Sequence, residues 1–157
     1  MGGMEKFFNI AGPCVAAKHY MLPATERLPE VLSLIRKELY FVVHAPRQSG
    51  KTTALKQFVR DINGSGERVA LYCSLETLQN VTDVVTAMHL VETLVAKAMK
   101  LSPPLAARSD DTLAYAKSPI VADDRASGLM TLLTKIAADC EKPLVVLFDE
   151  ADCLCGD

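Results

Sequence analysis

Ala45, Gly50, Lys51 and Thr52 satisfy the pattern Gly or Ala, four residues, then Gly-Lys-Ser/Thr, which is the spacing of a phosphate-binding P-loop. Average residue usage puts a chance match on the order of 1% for a chain of this length, so the match calls for a chemical reading. Successive backbone N–H groups and the start of a helix would point at an anion. Gly50 removes a side chain where the backbone must approach it. Lys51 would place its ammonium against the β and γ phosphates of a nucleoside triphosphate, and the Thr52 hydroxyl would be a ligand of Mg²⁺, a hard ion that prefers oxygen. The binding run is Ala45, Pro46, Arg47, Gln48, Ser49, Gly50, Lys51, Thr52 and Thr53. The competing reading is a turn of similar spelling with Lys51 an ordinary solvated helix residue.

A second feature lies about a hundred residues on, where an apolar run over 144–148 ends in Asp149 and Glu150. A buried parallel strand would deliver Asp149 to the carboxyl edge of a sheet, where ligands of open α/β sheets gather. Asp149 would then hold Mg²⁺ through its waters, and Glu150 would orient and deprotonate an attacking water. Alone, such a strand end is more simply a solvated acid pair; the upstream P-loop gives it the Walker B reading.

The elements that must position these residues follow from periodicity and punctuation. Residues 1–24 read as irregular or extended. Pro29 opens a helix over 29–38, with Val31, Leu32, Leu34, Ile35 and Leu39 on its apolar face. A strand over 40–44 leads into the loop, and Leu55, Phe58, Val59 and Ile62 give the next helix, over 51–62, a stop at Asn63-Gly64-Ser65-Gly66. A buried strand is expected over 68–74, then a helix over 83–100 capped by Thr82 and ended by Pro103-Pro104. Residues 101–122 read as a loop with at most a short turn near Leu113. A helix over 124–139 leads through Pro143 to the strand over 144–148. Strands alternating with helices at this spacing predict an α/β fold with a parallel sheet.

Composition bounds the rest. The 157 residues suit one domain, and 50% apolar with 23% charged residues describe an ordinary globular chain. Seventeen Lys and Arg against nineteen Asp and Glu give a net charge of −2, which excludes the broad basic surface of nonspecific nucleic-acid binding. Five scattered cysteines and an N-terminus without an apolar signal region read as a reducing cytoplasm. No stretch approaches the roughly 20 apolar residues of a membrane span, so a soluble protein is expected.

With both motifs placed, the chain resembles the bacterial AAA-like ATP-binding domains, in the P-loop division whose Walker B acid is followed by a catalytic Glu. The resemblance runs through Phe8-Asn9-Ile10-Ala11-Gly12-Pro13-Cys14 with His19-Tyr20-Met21-Leu22-Pro23, through Pro46-Arg47-Gln48-Ser49-Gly50-Lys51-Thr52-Thr53, and through Leu147-Phe148-Asp149-Glu150-Ala151-Asp152. It implies a P-loop NTPase of three α/β/α layers, with 1–24 an N-terminal extended segment near the nucleotide, around Tyr20 and Leu22, and 25–157 the ATPase core. It implies ATP and Mg²⁺ as cofactors and hydrolysis of ATP, with Lys51 and Glu150 catalytic. In that family the strand after Walker B, the arginine finger and the lid come later in the chain. Residues 144–148 lie close to Asp157, so the expectation is a fold incomplete at its C-terminus, with an unfilled slot between the strands at 40–44 and 144–148. A nucleotide-dependent signalling switch or adaptor and a nonfunctional fragment are the alternatives. A second copy or another protein is an open partner, and nucleic acid enters by analogy alone.

Other features carry less. Cys153-x-Cys155 has no second pair to complete a zinc site. His44 and His89 read as packing or surface residues, and Met88, Met99 and Met130 as core filling. Asp110-Asp111 and Asp123-Asp124 read as solvated loop and helix-start acids.

Overall fold

The computed structural model describes residues 5–10, 12, 14–15, 17–46, 48–117 and 125–154. They divide into two compact units, Met1–Asp61 and Ile62–Asp157. The expected acids Asp123 and Asp124, as well as Arg47 and Cys155, lie outside the described residues.

In the first unit the N-terminal stretch is tied rather than loose. Phe7 and His19 form a parallel bridge, with the Phe7 N–H donating to the Lys18 carbonyl and the Tyr20 N–H to the Phe7 carbonyl, both at 3.1 Å. His19 is buried and its Nδ1 accepts the Val15 N–H at 2.9 Å. Two short helices follow, α1 (Ala24–Arg27) and α2 (Pro29–Arg36). Only the second was expected; Pro29 starts it because a first-turn residue needs no N–H, and Val31 and Ile35 are its buried stripe. The third helix, α3 (Lys51–Ser65), opens directly after the loop over 45–50, and its residues from Ile62 on belong to the second unit. The start of α3 is anchored by two bonds, from the Cys14 N–H to the Thr53 Oγ1 at 3.2 Å and from the Ala24 N–H to the Gln57 Oε1 at 3.0 Å.

The strand expected over 40–44 does not form. Tyr40 is fully exposed and Val42 is 77% exposed. Apolar alternation makes a chain extended, but a strand needs a neighbour to take its N–H and C=O groups, and no ladder reaches these residues among those described.

The second unit is built on two strands, β1 (Val69–Ser74) and β2 (Leu144–Asp149), paired parallel in a register that sets Val69 opposite Leu144 and Ser74 opposite Asp149. Between them run α4 (Val84–Lys100), α5 (Ser109–Lys117) and α6 (Arg125–Asp139). This is a mixed α/β arrangement around a small two-stranded parallel sheet. Period-two alternation puts Val69, Leu71 and Cys73 on one face with Leu144, Val146 and Phe148. Those residues join Val91, Val95 and Met99 of α4 and Leu132 and Ile136 of α6 in one core. Each fully buried aliphatic side chain there contributes about 1.5–3 kcal/mol.

The helices differ from expectation where side chains compete for backbone groups. Asp83, not Thr82, caps α4, its carboxylate accepting the Thr86 N–H at 2.8 Å. The stretch read as a loop contains α5, and Asp110 in its first turn favours the positive helix end. Asp110 also pairs with Lys100 at 2.7 Å, which holds its carboxyl below the usual range. Met99 is core, whereas Met130 is 66% exposed and fills nothing.

One contact closes an edge. The Val69 N–H bonds the Pro143 carbonyl and the Leu75 N–H the Asp149 carbonyl, so the odd residues of β1 face β2 and Ala70 faces outward. The Asn63 side chain takes the place of a third strand there, donating to the Ala70 carbonyl at 3.0 Å and accepting its N–H at 2.8 Å. Asn63 can do this because α3 continues through Ser65, past the expected stop, before Gly66 turns at φ +71°.

Two outcomes follow from this packing. Asn63→Leu leaves both polar groups of the buried Ala70 unpaired and lowers stability by about 1–3 kcal/mol in urea unfolding with an unchanged m-value. Burial pushes the Cys73 thiol from 9.0 up to about 11, because the fold accepts only the neutral form. Its contribution is therefore complete below the unfolded thiol's range and is lost as pH rises toward the folded value. Urea midpoints compared at about pH 8 and about pH 10.5 should fall less in Cys73→Ala than in the unchanged chain.

Candidate nucleotide-phosphate site

The loop before α3 turns through left-handed backbone at Gln48 (φ +59°) and Gly50 (φ +82°). The Ser49 N–H is used inside the turn, donating to the Pro46 carbonyl at 3.3 Å. The first helical bond runs from the Ala54 N–H to the Gly50 carbonyl at 3.0 Å, so the groups from Gly50 to Thr53 form the positive end of α3.

Arg27 fixes the direction of that end. Its guanidinium donates to the Ser49 carbonyl through Nη2 and to the Gly50 carbonyl through Nη1 at 3.4 Å. In a trans peptide the N–H points opposite the C=O of the same plane. Holding these two carbonyls on one side therefore aims the Gly50 and Lys51 N–H groups to the other. A Cβ at Gly50 would meet Arg27 Nη1 at 2.8 Å, which adds a steric reason for glycine to the left-handed φ.

The remaining predicted residues of the loop are placed as follows. Lys51 donates from Nζ to the Ala45 carbonyl at 2.9 Å, so the ammonium lies over its own loop. Ser49 has a buried Oγ without a hydrogen-bond partner among the described residues. Thr53 is buried with its hydroxyl accepting from Cys14, which leaves the main chain as its means of meeting a ligand. Thr52 is partly buried in the first turn, and Pro46 and Gln48 are exposed. A directed helix end, an adjacent ammonium and a buried hydroxyl in want of a partner fit a phosphate group.

Asp149 and Glu150 belong to the second unit. Asp149 is 4% exposed, and a buried carboxylate persists only with donors. Tyr72 supplies one, its hydroxyl donating to Oδ2 at 2.8 Å, and the Glu150 N–H donates to Oδ1 at 3.1 Å. The register explains Tyr72: it lies opposite Leu147 on the face that also carries Asp149. Glu150 is left-handed (φ +56°) and partly exposed, a conformation a non-glycine residue adopts at a cost of order 1–3 kcal/mol. The chain then turns into a short 3-10 segment, Ala151–Leu154.

Arg27 and Tyr72 were not found from sequence. An arginine in a four-residue helix carries no pattern, whereas a tyrosine within an apolar strand could have been flagged as needing a partner for its hydroxyl. Among the described residues no helix is long and apolar enough to cross a membrane, and no three His, Cys, Asp or Glu side chains cluster as a metal group. Tyr20 is 54% exposed and its ring lies 5.1 Å from that of Phe8, tilted by 37°.

Comparison of the chain with family models, with curated proteins and with solved structures gives no match.

Tyr72→Phe removes one of the donors of a buried carboxylate and should lower stability by about 1–3 kcal/mol, read by chemical denaturation.

Proposed function

We propose that the chain binds Mg-ATP through its P-loop, as an AAA-like P-loop NTPase domain of the three-layer α/β/α kind. The observation that carries the reading is the aimed end of α3: Arg27 holds the Ser49 and Gly50 carbonyls, and the Gly50 and Lys51 N–H groups point away from it. On binding, Lys51 exchanges the Ala45 carbonyl for a phosphate oxygen, and Ser49 Oγ gains a partner. In this reading Thr52 would offer Mg²⁺ a hydroxyl oxygen and Asp149 would hold such an ion through its waters, and the ion would neutralise phosphate charge. Glu150 takes the proton of the attacking water in the hydrolytic form of the proposal, giving ADP and phosphate.

One observation favours a second form, a nucleotide-dependent switch with little turnover. Asp149 is 4% exposed and each of its oxygens already accepts a hydrogen bond, from Tyr72 and from Glu150, so the fold holds this carboxylate without a metal ion.

Calorimetric titration with Mg-ATP tests the binding. The unchanged chain should bind, Lys51→Ala should weaken binding by about a hundredfold, and Arg27→Ala by about tenfold. A folded chain that binds no Mg-ATP contradicts the proposal. Phosphate release that disappears in Glu150→Gln supports hydrolysis; release that is equal in both supports the switch.

A further inference from the structure

The two donors on the Asp149 carboxylate differ in what they can do. The Glu150 N–H on Oδ1 is main chain and goes only where the end of β2 goes. The Tyr72 hydroxyl on Oδ2, at 2.8 Å, ends a side chain that turns about two bonds of its own. Tyr72 also stands apart from the core. Its strand neighbours Leu71 and Cys73 are buried there with Val69, whereas Tyr72 points to the other face of β1 and is partly exposed. Its hydroxyl can therefore leave Oδ2 with that core packed and the ladder between β1 and β2 intact. While it stays, it competes for Asp149. The waters through which an ion would be held are hydrogen-bond donors as well, and a carboxylate so deeply buried gives them little room beside a phenol.

We infer that Tyr72 is a positioning residue that regulates Asp149: its hydroxyl keeps the carboxylate closed in the unliganded chain and turns off Oδ2 when Mg-ATP binds. The inference rests on the Mg-ATP reading above and adds a cost to it, since a site that must first open binds with an affinity lowered by the fraction already open. The Glu150 N–H stays on Oδ1 in both states, so the end of β2 keeps its order. The exchange at Oδ2 is the two-state element that a nucleotide-dependent switch requires.

The chain has four tyrosines and no tryptophan, so its near-ultraviolet emission comes from tyrosine, and a tyrosine hydroxyl bonded to a carboxylate emits weakly. Titrated with Mg-ATP, the full chain should gain emission saturably; titrated with ATP in excess chelator, it should not. By calorimetry Tyr72→Phe should bind Mg-ATP about tenfold tighter and bind ATP in chelator as the unchanged chain does. It should also show no gain in emission. A tyrosine that only supports the fold would shift both affinities alike. If Tyr72→Phe does not fold, the emission of the unchanged chain decides. Mg-ATP binding without a gain in emission overturns the inference, as does a gain that is equal with and without the ion. A folded Tyr72→Phe that binds Mg-ATP no tighter overturns it too, and all three results leave the Mg-ATP reading standing. A folded chain that binds ATP neither with the ion nor without it overturns that reading and the inference together.

Discussion

Every backbone N–H and C=O that a helix end or a strand edge leaves over must be paired or aimed at something, and the candidate site of this chain lies where that constraint is met. At the start of α3 the surplus is positive and cannot be removed by the helix itself. The chain spends an arginine side chain on the carbonyls of Ser49 and Gly50, which leaves the matching N–H groups directed rather than scattered. At Ala70 the surplus is neutralised by a side-chain amide. On the far edge of β2 it is left open among the described residues.

The same constraint links Asp149 to its strand. Its carboxylate is nearly inaccessible, and burial of an ionised group without donors costs several kcal/mol. The parallel register places Tyr72 where its hydroxyl can reach Asp149 across the ladder, 77 positions away in sequence. The left-handed backbone at Glu150 brings its N–H to the same carboxylate. Strain at Glu150 and satisfaction at Asp149 are therefore two sides of one local arrangement, and it orders the end of β2 whether or not a metal ion is present.

Much of this architecture was legible in the sequence, because long apolar periods survive almost any packing. The helices starting at Lys51 and before β2, the strands at Val69 and Leu144, and the helix ending at Lys100 fall within a few residues of expectation. The failures share a cause. The segment over 40–44 has strand composition but no neighbour, and composition cannot supply one. The helix at Ser109–Lys117 was hidden by weak periodicity. Within the candidate site the run from Ala45 to Thr53 was singled out by spacing alone. Arg27, Asn63 and Tyr72 could not, since each acts on a backbone or side-chain group that only the fold brings near.

The central claim is that the aimed amides at the start of α3 hold phosphate. Amide chemical shifts of a ¹⁵N-labelled chain, followed during titration with Mg-ATP, test it at the atoms concerned. The account predicts saturable shifts largest at Gly50 and Lys51, absent in Lys51→Ala. Shifts spread evenly over the chain, or none at these two residues while ATP binds elsewhere, would contradict it.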